Sequence, residues 1–375
     1  MSEGVRNRSS GDGKGRLKLL TGNYAVAEAV RIAKPEIIAA YPITPQTPIV
    51  EKLAEMISEG VIDAEMINVE SEHSAMAVVF GAVAGGSRAF TATSSHGLAY
   101  MYEMCWWVAG SRLPLVMAVA TRSIGAPWNI HADHSDIMLL RDAGWIISMA
   151  ENAQEAHDLA LQGFVISEEV NIPFAVGYDA FQISHTSEPV FVREDYEIPE
   201  RKQAYRITPG NAVGLNPVTT WTRHHARKEL MEDLEKSVRI IEKVGREFPE
   251  EYRVIEEYRT DNSDYVVVLT GAFAGDAKDA IDSLRKEGVK IGLVKLRYIR
   301  PFPYEAIRRL DGDVLVVDRA TSGNRGILGI EISSVRDVRA NLIAGLGGIE
   351  VTSEDFERLF RDFADGKMDG VVWFP

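Results

Sequence analysis

The chain has 375 residues, 46% of them hydrophobic and 26% charged, enough for two or three domains with a sizeable core. A net charge of −14 argues against a nucleic-acid partner or an anionic membrane surface. The single cysteine, Cys105, rules out an internal disulfide, and this chain alone cannot hold a Cys-ligated iron–sulfur cluster or structural zinc.

In chain order, residues 1–16 are polar and Gly/Ser-rich and are expected to form a disordered tail. The tail contains Gly11-Asp12-Gly13, but no strand precedes it, so it is not read as a metal-diphosphate loop. No run of 18 apolar residues appears, and the amino terminus lacks the apolar core of a signal peptide. A cytoplasmic protein is expected.

Residues 17–190 alternate between strand and helix patterns. Helices are predicted over 23–34, 47–59, 72–85, 97–110 and 152–168. Strands are predicted over 36–40, 65–69, 88–92, 114–120, 145–149 and 173–177. This alternation predicts an α/β fold built on a parallel sheet covered on both faces. Between 191 and 262 the chain becomes charged and is expected to form a linker with one long helix over 222–248, packed on a neighbour or on another subunit. A second, smaller α/β unit is predicted over 263–375, with strands at 266–269, 291–296 and 314–317 and helices at 273–287 and 354–365.

Three stretches in the first unit could carry chemistry. Tyr41-Pro42-Ile43-Thr44-Pro45-Gln46-Thr47-Pro48 joins a short apolar strand to a helix that either Thr44 or Thr47 could cap. Open parallel sheets bind ligands at such strand ends, with helix N-termini aimed at the site. Glu70-Ser71-Glu72 follows a strand and opens a helix that is apolar almost all round and so is expected to be buried. A carboxylate at its mouth is costly unless paired or protonated. Thr121-Arg122-Ser123 follows a buried strand and leads into a polar loop with His131, Asp133, His134 and Asp136. Arg122 there would suit a two-point grip on a carboxylate. The histidines and aspartates could serve a metal or a proton relay, but hydrogen-bonded loop structure is the preferred reading. No phosphate-loop lysine or dinucleotide glycine pattern is present.

Taken together, the segments AAYPITPQTP, VESEHSAM, AFTATSSHGLAYMYEM, ATRS, DHSD, RDAGW, SHTSEPV, GAFAG, LRYIRPFP and VLVVDR resemble the α subunit of the 2-oxoacid:ferredoxin oxidoreductases. The resemblance runs in order from about residue 17 to 350 and departs at the C-terminus and in the loop between Arg122 and Asp136. It implies a pyrimidine-type thiamine diphosphate domain followed by a transketolase C-terminal-like domain. It also implies oxidative decarboxylation of a 2-oxoacid to an acyl-CoA with reduction of ferredoxin. Pyruvate is the first choice of substrate, with a branched-chain or other 2-oxoacid as the alternative. A transketolase-like acyl-transfer subunit is the competing activity.

By the same resemblance, Glu72 would contact the pyrimidine ring of thiamine diphosphate, with Tyr41, Pro42, Ile43 and Thr44 lining the cofactor. Thr44 would lie beside the substrate, and Arg122 would pair with its carboxylate. The diphosphate, Mg2+ and [4Fe-4S] clusters would sit on partner β and δ subunits, with a γ subunit completing the complex and coenzyme A as co-substrate.

Overall fold

A computed structural model describes residues 15–200 and 217–375. Most of the amino-terminal tail, including Gly11-Asp12-Gly13, and part of the charged stretch (201–216) lie outside the described residues. The elements in order are β1 (Arg16–Thr21), α1 (Gly22–Ala33), β2 (Ile37–Ala40), α2 (Thr47–Ser58), β3 (Glu65–Asn68), α3 (Glu72–Gly85), β4 (Ala89–Thr93), α4 (Ser95–Gly110) and β5 (Val116–Thr121). A 3-10 turn, Ile137–Asp142, precedes β6 (Ile146–Met149), α5 (Ala153–Val170), β7 (Phe174–Asp179) and β8 (Ser187–Val192).

Six of these strands, with β12 (Tyr298–Arg300) from later in the chain, build a seven-stranded sheet in the order β12-β6-β7-β5-β4-β2-β3, while β1 and β8 pair with each other. Every pairing from β6 to β3 is parallel. Strands β4 to β7 are buried along their whole length, which is why β5 and most of β7 read as near-continuous apolar runs rather than alternating ones. The carboxyl ends of β2, β4 and β5, with the turn after β3, therefore open on one edge of the sheet.

The charged middle of the chain folds onto this same unit. It forms α6 (Pro217–Lys236) and α7 (Val238–Gly245), not one continuous helix. The break falls at Ser237, whose buried hydroxyl bonds back to the Leu234 carbonyl at 2.6 Å. Leu230, Leu234, Ile241, Val244 and Phe248 are all buried, and the helices pack on α4 and α5 of their own chain.

The stretch read as linker also supplies β9 (Ile255–Tyr258). The second unit follows with β10 (Tyr265–Leu269), α8 (Phe273–Lys286), β11 (Ile291–Leu296), β12 (Tyr298–Arg300), α9 (Tyr304–Arg308) and β13 (Asp313–Asp318). A two-residue hairpin, β14 (Thr321–Ser322) and β15 (Arg325–Gly326), leads to α10 (Ile327–Ser333), β16 (Ala340–Ala344), α11 (Ser353–Ala364) and β17 (Gly370–Phe374). Its sheet runs β17-β16-β13-β10-β11-β9, with β9 antiparallel at the edge.

The two units exchange strands. Strand β12 follows β11 in sequence, yet pairs antiparallel with β6 at the edge of the first sheet. Beside this junction, three carboxylates (Glu151, Glu155, Glu256) face three cations (Lys278, Lys295, Arg297). Lys295 is fully buried, lies 2.8 Å from Glu155 and 2.7 Å from Glu256, and also contacts Glu151. Arg297 bonds Glu155 at 2.9 Å and Glu256 at 2.6 Å. Those carboxylates are close enough together to hold an ion, but the Lys295 ammonium fills the space between them. Among the described residues, no helix is long and apolar enough to cross a membrane.

Candidate active site

The turn after β2 is held from three sides. Asn23 Nδ2 donates to the Pro45 carbonyl at 2.9 Å, and Tyr178 Oη donates in turn to Asn23. Gln46, fully buried, donates to the Ala92 carbonyl at 3.0 Å and accepts from the Ile43 N–H. Neither Thr44 nor Thr47 caps α2 through its side chain. Gln46 occupies the cap position, because its amide is committed to pinning the turn onto β4. Tyr41, Pro42 and Thr44 are left exposed and Ile43 half-buried, so the turn presents its face outward from the sheet edge.

Glu72 opens α3. Ser71 caps the helix, its hydroxyl accepting from Ser74 N at 3.1 Å. The Glu72 carboxylate is 9% exposed and has no hydrogen bond or ion pair among the described residues. It lies against the first turn of α4: a Cβ built on Gly97 would fall 2.8 Å from Glu72 Oε1 and 2.6 Å from Thr93 Oγ1. The Thr93 hydroxyl, at the end of β4, is also buried without a partner. The carboxylate thus has the positive end of the α4 dipole beside it.

Helix α3 itself departs from expectation. Ala75, Met76, Val79 and Val83 are buried, but Gly81, Ala84 and Gly85 are exposed, and a Cβ at Gly81 or Gly85 would meet nothing. The helix is apolar all round, yet this chain covers only one face. Exposed Tyr100 and Trp107 on α4 extend the uncovered region.

Arg122, 3% exposed, leaves the end of β5 and turns back toward the β2 turn. Its Nη1 donates to the Thr44 carbonyl at 2.7 Å and its Nε to the Asn129 carbonyl at 3.2 Å. The exposed Trp128 ring covers its guanidinium, 5.3 Å from the ring centre. Three of the five guanidinium N–H groups remain without a protein partner among the described residues. Burial lowers the Arg122 pKa somewhat, offset in part by Asp136, and the group stays cationic. Asp136 fixes the local main chain by accepting from Ser95 N, Arg122 N and Ile137 N at 2.7, 2.9 and 2.7 Å. Burial pushes its pKa up to about 8 against the pull of these donors.

The histidines of the loop are structural. His134 Nε2 bonds Asp179 at 2.9 Å, and Asp179 also accepts from Arg319 at 2.8 Å and from Ala272 N at 2.8 Å. Burial would raise the Asp179 pKa, but Arg319 and His134 hold it far below the ordinary carboxylate range. His134 and Asp179 belong to the first unit and Arg319 and Ala272 to the second, so the cluster is a clasp. Gly271, at φ +77°, lets that backbone come close: a Cβ there would fall 2.6 Å from Asp179. Asp133 accepts from Gly347 N at 3.1 Å, and the His131 ring packs at a tilt against Phe181. The pairing with Arg319 could not be read from the loop, because its partners lie 45 and 140 positions from Asp179.

The structure therefore brings Arg122 directly onto Thr44 and sets Glu72 against the first turn of α4, at the carboxyl edge of the same parallel sheet. Fold and site define an α/β enzyme subunit whose ligand-binding edge is open on one side. The chain belongs to the 2-oxoacid:ferredoxin oxidoreductase family. Residues 28–246 match the pyruvate flavodoxin/ferredoxin oxidoreductase thiamine diphosphate-binding family, and residues 263–356 match pyruvate:ferredoxin oxidoreductase core domain II.

It is 41% identical over 379 residues to pyruvate synthase subunit PorA of Methanocaldococcus jannaschii, covering 95% of this chain and 97% of that one. It is 40% identical over 383 residues to ketoisovalerate oxidoreductase subunit VorA of Pyrococcus abyssi, with the same coverage. The fold is similar to 2-oxoglutarate:ferredoxin oxidoreductase from Magnetococcus marinus, with TM-score 0.76 and 21% identity over 93% of this chain and 65% of that one. It is also similar to a split-gene transketolase, with TM-score 0.55 and 14% identity over 92% of this chain and 98% of that one.

Proposed function

We propose that this chain is the α subunit of a thiamine diphosphate-dependent 2-oxoacid:ferredoxin oxidoreductase, converting a 2-oxoacid to an acyl-CoA. On this reading residues 17–190 are the pyrimidine-type cofactor domain and 263–375 a transketolase C-terminal-like domain. The observation that carries it is the unpaired carboxylate of the nearly buried residue Glu72, at the sheet edge that also bears Arg122 and the 41–44 turn. A carboxylate left so by its own chain is matched by a ligand that bonds to it.

The residues fit the pyrimidine half of the cofactor. Glu72 offers an acceptor, Gly97 leaves room for close approach, and Tyr41, Pro42, Ile43 and Thr44 form an adjoining wall. When bound, thiamine diphosphate supplies an electron sink for the pair released on decarboxylation. Glu72 would hold the ring nitrogen by a charge-assisted bond and set where the ring's protons sit. Arg122, steadied by the Thr44 and Asn129 carbonyls, would offer its remaining N–H groups to the substrate carboxylate. Trp128 above it would exclude water from that contact.

The uncovered apolar face of α3 supports a partner chain closing the site. We assign the diphosphate and Mg2+ site to a β subunit, the clusters and the contact with ferredoxin to β and δ subunits, and completion of the assembly to a γ subunit, all in the cytoplasm. The sole thiol, Cys105, is fully buried, and burial pushes its pKa well above the usual thiol range, so it offers no cluster ligand.

Relatives named for pyruvate and for ketoisovalerate are almost equally similar. Pyruvate and 2-ketoisovalerate are therefore the first substrates to compare. The test is acyl-CoA formation by the co-purified complex from a panel of 2-oxoacids, with a viologen dye as electron acceptor. CoA- and substrate-dependent dye reduction is expected. Acyl transfer between sugars or acids without dye reduction would overturn the assignment in favour of a transketolase-like subunit.

A further inference from the structure

We propose that Thr93 is a positioning residue that orients the Glu72 carboxylate toward its ligand, an inference that rests on the assignment of Glu72 above. Two buried polar groups converge on Gly97. Thr93 Oγ1 is fully buried and bonds to nothing among the described residues, and Glu72, a residue 9% exposed, has a carboxylate that is also unpaired among them. A Cβ built on Gly97 would fall 2.6 Å from the hydroxyl and 2.8 Å from the carboxylate oxygen, so the two groups are neighbours across a glycine that keeps the space between them clear.

The unpaired buried hydroxyl is costly, and in the chain alone it does not reach the carboxylate. A turn of the Glu72 side chain on ligand binding would let the hydroxyl donate its proton to one carboxylate oxygen, leaving the other oxygen for the ligand. Strand β4 ends at Thr93, and α4 begins two residues later on a main chain fixed by Asp136. The hydroxyl therefore rides on a rigid element, and the rotatable group is Glu72. A hydroxyl bond to one oxygen selects a single rotation of the carboxylate plane. Thr91, two residues earlier on the same strand, is also buried and unpaired, but it is not among the groups meeting at Gly97.

Thr93→Val replaces the hydroxyl by a methyl of the same shape, and Thr93→Ser keeps the hydroxyl while removing a methyl. The complex carrying each variant is titrated with thiamine diphosphate by fluorescence, and exchange of the cofactor's C2 proton for deuterium is followed by NMR across pH. Thermal melting is measured without cofactor. In Thr93→Val, melting is expected to stay at or above the wild-type temperature, because a stranded hydroxyl is gone. Exchange is expected to slow by about 10-fold or more, as for loss of a hydrogen bond to a charged group. Thr93→Ser is expected to recover most of that exchange.

Wild-type exchange and cofactor affinity in Thr93→Val would overturn the proposal. So would a serine variant as slow as the valine one, which would make the side chain a packing element only. Should the valine variant fail to assemble, Thr93→Ala set against Thr93→Ser gives the same reading. A wild-type complex that neither binds the cofactor nor exchanges its proton would instead defeat the assignment of Glu72.

Discussion

Replacing Lys295 by methionine removes one cation from a cluster of three carboxylates and three cations, leaving Glu151, Glu155 and Glu256 with only Lys278 and Arg297. Burial alone would raise the Glu155 pKa, but Lys295 and Arg297 more than reverse this and hold it at about 2. A carboxyl moved from 4.5 to about 2 favours the ionised folded form by about 3 kcal/mol. That shift is shared with Arg297; breaking one side of a buried pair costs about 3–5 kcal/mol. Lys295→Met should therefore lower the unfolding free energy at pH 7 by about 3–5 kcal/mol, measured by urea denaturation.

The pH window follows from the sign of the shift. A depressed carboxyl pKa stabilises the fold above 4.5, and that contribution is lost as pH falls toward 2. The gap between wild type and mutant should narrow across that interval. Adding Glu155→Gln should restore part of the loss, because it removes the uncompensated charge. A loss at pH 7 under about 1 kcal/mol, or a double mutant no better than the single one, would refute the account.

Three further outcomes test the site. Glu72→Gln should leave the complex assembled and slow exchange of the cofactor C2 proton by about 10²-fold or more, followed by NMR. Arg122→Lys should raise KM for every 2-oxoacid, because lysine keeps the charge but loses the fork. Changes at Ile124, Trp128 or Ile130, in the loop that follows Arg122, should instead alter selectivity between small and branched substrates, by about 10- to 200-fold at most, read as kcat/KM ratios. The isolated chain should be colourless, with iron–sulfur absorbance appearing only with partner subunits. Stoichiometric iron bound to the chain alone would contradict the assignment of clusters elsewhere.

What could be read in the sequence follows physical lines. Buried parallel strands such as Val116–Thr121 and the strand–turn–helix around Thr44 announced themselves through continuous apolar runs and Thr-Pro pairs. Edge strands did not. Ile255–Tyr258 is half charged because Glu256 enters the ion cluster and Glu257 faces solvent, so its β pattern is masked. Gly370–Phe374 leaves Val371 and Trp373 exposed at the edge of the second sheet.

At the site, the types and spacing of Thr44, Glu72 and Arg122 were legible, but their supports were not. Gln46 acts through a carbonyl 46 positions away, and Thr93 matters only because Gly97 admits it to the neighbourhood of Glu72. Helix α3 was read as buried because its residues are apolar on every side. That composition records what covers a face without saying which chain does so.

The crossed strands at the junction bear on how this protein can be divided. A fragment ending at residue 262 would carry β9 without the sheet it edges and would strip β12 from β6. The freed strand, Ile146–Met149, is wholly buried, so excision would bare a flat apolar edge with unsatisfied main-chain groups, a template for self-association. Neither half is an autonomous module. Any viable severing of the gene must keep residues 255–300 with both sheets, or supply β12 again as a separate peptide.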